Sequence, residues 1–185
     1  MEVQIEYTFS NEENVYFAIS IPFSYLDCHD YLLQLQQNTR PDVYFNKEVL
    51  TYSANQLVVN LLTITYNHPM NELAPGSCSI FEEKLHENMF PDGNRPIKIN
   101  KPVVLILCRV HPGETSASHA LVGMLNFLCV SDDPRAYLLR RLFLFMVVPM
   151  VNPDGVYEGN YRMDTFSTNL NRIYNNPSAE EQYTF

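Results

Sequence analysis

Two apolar runs, each followed closely by a polar turn, constrain the fold of this chain more than any other feature. Residues 102–108 lead into His111-Pro112-Gly113-Glu114, and residues 142–148 lead into Asn152-Pro153-Asp154-Gly155. Both runs are rich in aliphatic residues, which is typical of strands buried on both faces. Apolar residues at helical spacing follow the first turn, so the sequence predicts an α/β fold whose functional side chains lie where strands end.

The turn after the first run contains a potential metal site. Pro112 disfavours helix at His111 and Gly113 permits a tight turn, so we expect the imidazole of His111 and the carboxylate of Glu114 on the loop between strand and helix. Zinc accepts both ligand types, and two residues three positions apart on a turn can converge on one cation. A histidine and a glutamate also occur at this spacing by chance, and two ligands alone hold zinc poorly. The pair therefore needs support from other motifs.

Two arginines follow the second run. Arg162 ends Gly159-Asn160-Tyr161-Arg162, and Arg172 ends Asn169-Leu170-Asn171-Arg172. A guanidinium group can bind a carboxylate through two parallel hydrogen bonds, and the amide of Asn171 adds a further polar group. A cation site beside an arginine pair indicates a pocket for a carbonyl next to a free carboxylate, which is the chemistry of a peptide C-terminus.

The order of these four motifs resembles the zinc metallocarboxypeptidases and, within them, the cytosolic carboxypeptidases of the branch-point tubulin deglutamylase type. The resemblance covers nearly the whole chain. It implies that His111 and Glu114 are the first two zinc ligands, and that Arg162 is the catalytic group that polarises the scissile carbonyl. It further implies that Asn171 and Arg172 bind the terminal carboxylate of the substrate. The implied activity is zinc-dependent removal of glutamate from polyglutamylated protein tails such as those of tubulin.

The resemblance also implies two residues that this sequence does not supply. Members of the family have a third zinc ligand, a histidine well downstream, and further on a glutamate that acts as general base. His119 is the last histidine of this chain, and Glu180 and Glu181 follow Arg172 too soon to match that base. We therefore expect the 185 residues to be a fragment without peptidase activity of its own.

The resemblance divides the chain into two parts. Residues 1–22 would be the last strands of an N-terminal β-sandwich domain, and residues 23–185 the front part of a carboxypeptidase-like mixed sheet flanked by helices. Alternating apolar residues on either side of a polar turn predict a hairpin within residues 2–22. Further patterns predict a helix over residues 25–37, strands over 47–52 and 57–66, a loop over 67–100 with a helical piece near 79–86, and a helix over 131–142.

The charge balance restricts the partners. Twelve basic residues against 21 acidic ones give a net charge of −9, which argues against a nucleic-acid surface. No apolar run is long enough to span a membrane and no secretory signal is visible, so the sequence predicts a cytoplasmic protein without a membrane partner. An acidic tail needs a local basic pocket, for which Arg109, Arg162 and Arg172 are the candidates. The sequence does not indicate an oligomeric state.

The remaining cysteines, histidines and arginines are assigned structural roles. The four cysteines lack metal-binding spacing and are predicted to be free thiols in a reducing compartment, with Cys108 and Cys129 as small buried residues. Three further arginines of a predicted helix are expected on a solvated face: Arg135, Arg140 and Arg141. Four histidines are not expected to bind metal: His29, His68, His86 and His119.

Two alternative functions stay open. A zinc amidohydrolase that acts on N-acyl amino acids uses a comparable histidine and glutamate and also binds a carboxylate through arginine. A non-catalytic protein could instead bind acidic C-termini through Arg162, Asn171 and Arg172 without cutting them.

Overall fold

The computed structural model describes residues 4–9, 14–18, 20–67 and 101–175. These residues form four strands, four α-helices and one short 3₁₀-helix. In chain order the elements are α1 (Tyr25–Asn38), β1 (Val43–Tyr52), β2 (Val58–Tyr66), β3 (Val103–Leu107), α2 (Thr115–Cys129), α3 (Pro134–Leu142), β4 (Leu144–Val148), α4 (Pro153–Glu158) and the 3₁₀-helix Leu170–Arg172.

The four strands make one mixed sheet in the order β1-β2-β4-β3. β1 pairs with β2 and β2 pairs with β4 in antiparallel fashion, whereas β3 and β4 are parallel. In the parallel pair Leu107 lies opposite Val148, so both strands end at the same edge of the sheet. The two polar turns predicted to carry the site therefore begin side by side. The expected α/β fold with a mixed sheet flanked by helices is confirmed.

Ser24 begins α1 with a capping box, since its hydroxyl accepts from the Asp27 N–H at 3.1 Å and its own N–H donates to the Asp27 carboxylate at 2.7 Å.

One apolar cluster joins the first two helices to the sheet. Each buried leucine in such a cluster stabilises the fold by about 1.5–3 kcal/mol relative to an exposed one. The central members are Leu32, Leu35, Leu62, Ile64, Leu121, Leu125, Leu128, Phe145 and Val147.

Strand β3 is less buried than the sequence predicts. Val104 and Ile106 pack against the central cluster, but Leu105 and Leu107 on the opposite face are 59% and 45% exposed. Side chains alternate between the two faces of a strand, and the central cluster packs only on the face that carries Val104 and Ile106. A continuous apolar run does not reveal which of its faces another layer covers, so the expectation of burial on both faces is wrong for β3.

The hairpin predicted within residues 2–22 is not observed in the parts of it that the structure describes. Residues 4–9 and 14–18 contain no strand, although the Tyr7 ring meets the Phe17 ring edge-on at 5.7 Å. A lone pair of strands is marginal without further sheet to pack on, which is the physical reason for this outcome. The assignment of residues 1–22 to a β-sandwich domain stays a prediction.

Arg140 is buried rather than solvated. It lies one helical turn after the buried Ala136 and is 1% exposed, so this face of α3 points into the protein. Its guanidinium donates to the Leu128 carbonyl at 2.7 Å and to the Asp42 carboxylate at 2.8 Å. The prediction of a solvated face is wrong for Arg140, whereas Arg135 and Arg141 are exposed as expected.

The described cysteines are buried free thiols. Burial, the largest cause in each case, raises the pKa of Cys28 to about 11 and that of Cys129 to about 12, and it also raises the pKa of Cys108. Because the thiolate is the metal-binding form, these side chains are poor ligand candidates. The predicted burial of Cys108 and Cys129 is confirmed.

Several predictions fall outside the described residues. They concern most of the long loop at 67–100 with its helical piece, together with Cys78, His68 and His86. None of the helices in the described ranges combines the length and apolar character that a membrane-spanning helix needs.

Candidate metal centre

His111 and Glu114 converge on one point at the end of β3. The Nδ1 atom of His111 lies 3.0 Å from the Oε1 atom of Glu114. The imidazole is 9% exposed and the carboxylate 55% exposed, so a sheltered nitrogen faces an oxygen that solvent can reach. The turn predicted from Pro112 and Gly113 has therefore brought both side chains to the same place.

The far side of the imidazole is fixed by Asn169. The Nε2 atom of His111 lies 3.1 Å from Oδ1 of Asn169, and the same oxygen accepts from the backbone N–H of Asn171 at 3.2 Å. Since this oxygen cannot donate, the network assigns a proton to Nε2 of His111. A neutral imidazole with its proton on Nε2 presents a lone pair at Nδ1. This is the tautomer that a metal bound at Nδ1 requires.

The pair fits a zinc ion by chemistry and by distance. An Nδ1 lone pair and a carboxylate oxygen 3.0 Å apart repel each other unless a proton or a cation lies between them. With zinc–ligand bonds of about 2.0–2.2 Å, this separation gives an angle of about 90° at the zinc between the nitrogen and the oxygen. A tetrahedral angle would need the two atoms to be about 3.4 Å apart, so they would have to separate by a few tenths of an ångström. No third histidine, cysteine or carboxylate joins them within the part of the chain that the structure describes.

The backbone of the loop is fixed at every carbonyl from Cys108 to Glu114. Carbonyls of buried loops need partners, and a complete set means that the loop has one well-defined conformation. The donors, in order of the carbonyls, are Val151 N–H, Asn152 N–H, the Asn152 amide, Glu114 N–H, the Arg109 guanidinium, Thr115 N–H and Ala117 N–H.

The three other motifs pack directly on this loop. A Cβ added to Gly113 would lie 2.6 Å from the Tyr161 ring, and one added to Gly155 would lie 2.5 Å from Pro112. The Gly113 N–H also donates to the Tyr161 carbonyl at 2.7 Å. Together with the contact between His111 and Asn169, these approaches assemble the four motifs into one site.

Asp154 has a structural role in this assembly. Its carboxylate accepts from the hydroxyl of Ser53 and from the Asn55 N–H at 3.0 Å, and the residue is buried. Both donors belong to the turn between β1 and β2. Asp154 therefore ties the second turn to the turn between β1 and β2, which lies at the same edge of the sheet, and its carboxylate is not bonded to the histidine.

Arg109 is buried and does not contribute to a substrate pocket. Its guanidinium donates to the carbonyls of Pro112 and Phe23 and to the hydroxyl of Ser118. Desolvation by burial lowers the pKa of Arg109 from its ordinary value. The expectation that Arg109 helps to form a basic pocket for acidic substrates is wrong, because all three nitrogens of its guanidinium donate to other groups of the protein.

Arg162 lies beside an open cavity of about 380 Å³ next to the loop of residues 108–114. It follows Tyr161, which packs on Gly113, and it has no hydrogen bond or ion pair with another described residue. The two nearby carboxylates are engaged elsewhere: Glu158 accepts from three side chains, and Asp164 accepts from two backbone N–H groups. The cavity is lined by Glu158, Asn160, Tyr161, Arg162, Met163, Asp164, Thr165 and Ser167.

Asn171 and Arg172 lie on the 3₁₀-helix that begins after Asn169. Both side chains are exposed, and one nitrogen of the Arg172 guanidinium donates to the Asn171 carbonyl at 2.9 Å. Asn169 caps this helix and contacts His111 with the same oxygen. Asn171 and Arg172, the candidates for binding the substrate carboxylate, therefore lie within three residues of Asn169, which contacts the candidate metal ligand His111.

Two residues of the site were not assigned a role from the sequence, and a third was assigned a different one. Asn169 orients the imidazole and Asn152 donates to the Val110 and Met163 carbonyls, whereas Arg109, expected in a substrate pocket, holds the Pro112 carbonyl. Asn169 and Asn152 lie inside motifs that the sequence singled out, so their motifs were the available signal. Arg109 gave no such signal, because nothing in the sequence reveals that its side chain folds back.

The remaining described histidines do not join the centre. His119 meets the Phe23 ring edge-on at 5.4 Å and approaches the Ile21 carbonyl, and His29 is exposed on α1. Each is a helix-surface residue in the structure, as the sequence predicts.

Comparisons with known proteins point to one family. The sequence pattern of the zinc carboxypeptidase family matches residues 30–181. Cytosolic carboxypeptidase-like protein 5 of Bos taurus is 42% identical over an alignment of 177 residues that covers 89% of this chain and 19% of that protein. Cytosolic carboxypeptidase 6 of Caenorhabditis elegans is 31% identical over 172 residues, which are 93% of this chain and 31% of that protein.

A solved structure supports the same relationship. The metallo-carboxypeptidase of Burkholderia cenocepacia superposes with a TM-score of 0.63 at 28% identity, over 86% of this chain and 35% of that chain. Each of these comparisons covers most of this chain and a minor part of the relative. The resemblance inferred from the four motifs is confirmed.

Proposed function

This chain belongs to the zinc carboxypeptidase family, and from that membership we propose that the intact protein containing it is a zinc metallocarboxypeptidase that removes glutamate from polyglutamylated protein tails such as those of tubulin. The predictions of a hydrolase and of zinc are confirmed at the level of the family. The substrate, the cytoplasmic location and the tubulin partner are proposals, supported by the arginines of the site and by relatives that are named cytosolic carboxypeptidases.

One observation carries the proposal. A buried imidazole nitrogen and a reachable carboxylate oxygen lie 3.0 Å apart, and three further motifs hold the loop on which they sit. His111 and Glu114 are the proposed zinc ligands, with Asn169 holding the imidazole in the binding tautomer. Bound zinc supplies Lewis acidity toward a scissile carbonyl and toward the water that attacks it.

The arginines account for the proposed substrate. Arg162 has no described counterion and lines an open cavity, so it is the group we assign to the carbonyl oxygen, where charge develops during hydrolysis. Asn171 and Arg172 are assigned to the free carboxylate of the terminal residue, which a guanidinium can bind through two hydrogen bonds. This division leaves one arginine for the reacting atoms and one for recognition.

The experiment that tests the function measures glutamate release from a polyglutamylated peptide by the zinc-loaded intact protein. Arg172→Ala should raise KM more than it lowers kcat, and Arg162→Ala should lower kcat, because the first group binds the substrate and the second acts as charge develops. Arg135→Ala, at an exposed arginine of α3, is the matched control and should change neither. Absence of glutamate release by the zinc-loaded protein would refute the proposed function.

A non-catalytic function is the second candidate. The observation in its favour is that only two metal ligands converge within the described residues. It predicts that a glutamate-terminated peptide binds without zinc and is not cut, and that Arg172→Ala abolishes the binding. Cleavage of N-acyl amino acids in preference to the peptide would instead indicate an amidohydrolase.

A further inference from the structure

We infer that Arg109 is a positioning residue of the proposed zinc site, whose side chain fixes the turn that holds His111 and Glu114 in one geometry. This inference rests on the proposed function. Arg109 is not itself a proposed zinc ligand. It acts through the backbone of the residues that are.

Arg109 makes a two-donor contact inside the turn. Its Nε and Nη2 atoms donate to the Pro112 carbonyl at 3.1 Å and 2.6 Å, so the guanidinium holds one oxygen with two donors. Pro112 directly follows His111 and precedes Glu114 by two positions. A clamp on this carbonyl restricts the peptide between the two ligands and so restricts their separation.

The same side chain anchors the turn to its surroundings. The Nη1 atom donates to the Ser118 hydroxyl and to the Phe23 carbonyl, both at 2.9 Å. Ser118 lies in the first turns of α2, the helix that begins after Glu114, and Phe23 precedes α1. One buried guanidinium thus joins the loop, the helix after it and the segment before the first helix.

The backbone of Arg109 has an unfavourable conformation. Its φ of 54° lies in the left-handed region, which glycine adopts without strain and a residue with a Cβ does not. At 4% exposure the side chain is also desolvated, and it forms no ion pair with a described carboxylate. A strained, buried arginine without an ion pair among the described residues is an unfavourable choice for stability alone, which indicates that its geometric effect on the loop is what it contributes.

The test compares zinc affinity in the intact protein and its Arg109→Lys variant, by competition with a chromogenic chelator. Lysine keeps the charge but lacks the planar fork, so it cannot hold the Pro112 carbonyl with two donors and reach Ser118 as well. We expect zinc affinity to fall 10- to 100-fold, the usual effect of losing a group that orients metal ligands. The visible absorption of the cobalt-substituted variant should also change, because that spectrum reports ligand geometry.

Arg140→Lys is the matched control. Arg140 is also buried and also donates to a carbonyl, but it lies in α3 and contacts Asp42 rather than the loop. It should lower the unfolding midpoint and leave the zinc affinity and the cobalt spectrum of the folded protein unchanged. An Arg109→Lys variant that behaves in the same way would overturn the inference and leave the proposed function intact.

Two further outcomes are decisive. If the unmodified protein binds no zinc, the proposed function fails and the inference fails with it. If Arg109→Lys does not fold, Ser118→Ala removes only one acceptor of the guanidinium and serves in its place. We expect Ser118→Ala to weaken zinc binding at least threefold, and an unchanged affinity in that variant would overturn the inference.

Discussion

Substitution of Gly155 by alanine tests how tightly the two turns pack. The new Cβ would lie 2.5 Å from Pro112 Cγ, 2.8 Å from the Met163 carbonyl oxygen and 2.9 Å from the Asn152 amide nitrogen. Carbon atoms pack best at about 3.5–4.0 Å, so Pro112 would have to retreat by about 1 Å. Overpacking of this kind costs about 1–3 kcal/mol, and we expect the upper end because a backbone carbonyl is also involved.

The sign of the effect is informative because Gly155 lies in a helix, α4. Replacing glycine by alanine in a helix stabilises it by about 0.5–1 kcal/mol when nothing else changes. Subtracting that gain from the packing cost gives a net loss of about 2 kcal/mol for Gly155→Ala. Gly123→Ala is the matched control, since its Cβ would meet no atom within 4 Å, and it should show the gain alone.

Both variants can be compared by urea unfolding followed by circular dichroism, with zinc affinity as a second readout. Movement of Pro112 disturbs the peptide between the two proposed ligands, so Gly155→Ala should also bind zinc more weakly while Gly123→Ala should not. A Gly155→Ala protein as stable as Gly123→Ala would refute the packing of the two turns described above.

Further predictions concern the imidazole and two charged groups near the sheet. Asn169→Ala removes the acceptor for Nε2 of His111 and should weaken zinc binding 10- to 100-fold in a chelator competition, whereas Asn169→Asp, which keeps an acceptor, should lose less; equal affinities would contradict the assigned tautomer. Burial raises the pKa of Asp42, but two arginine side chains lower it further, so its net pKa is below the ordinary 3.8. Its stabilising effect is therefore complete above pH 4 and lost as the pH falls through the folded value. Asp42→Asn leaves Arg140 buried without a counterion and should cost about 2–3 kcal/mol at pH 7 in urea unfolding; a loss that persists unchanged below the folded pKa would contradict this. Burial lowers the pKa of Lys101 to about 8 from its ordinary 10.5, so the unfolded chain binds more protons at this lysine between those values, and the contribution of Lys101 to the stability rises with pH there. The buried thiols contribute in the opposite direction, because burial raises the pKa of Cys28, Cys108 and Cys129. Lys101→Met should therefore make the stability fall more steeply with pH over this range, and equal slopes in the two proteins would contradict the lowered pKa of Lys101.

Local chemistry made the main elements predictable. The capping box at Ser24, the Asp133-Pro134 start of α3 and the β-branched run of β2 act within a few residues, and each element forms close to its predicted bounds. The side-by-side placement of the two turns was also predictable, because the ends of parallel strands meet at one edge.

Features that depend on distant partners were not predictable. Arg140 is buried because Asp42 and Leu128 receive its guanidinium, and β3 is exposed at Leu105 and Leu107 because the central cluster packs on its other face. No periodicity within α3 or β3 contains that information. Sequence patterns describe which side chains could be buried, and the packing of separate elements decides which are.

The site shows the same division. The four motifs identified His111 and Glu114, and the structure brings them within 3.0 Å. The sequence did not reveal that Asn169 holds the imidazole or that Arg109 holds the loop, since both contacts depend on side-chain directions after folding. Arg109 was assigned to a substrate pocket because charge alone does not distinguish an arginine that binds ligand from one that binds backbone.

The most direct test of the central claim is the zinc affinity of the intact protein with either of two histidines replaced. His111→Ala removes the proposed ligand, and His119→Ala removes an exposed histidine from the helix that follows. We expect His111→Ala to abolish zinc binding and His119→Ala to bind zinc as tightly as the unmodified protein. Equal zinc binding by His111→Ala and His119→Ala would contradict this expectation.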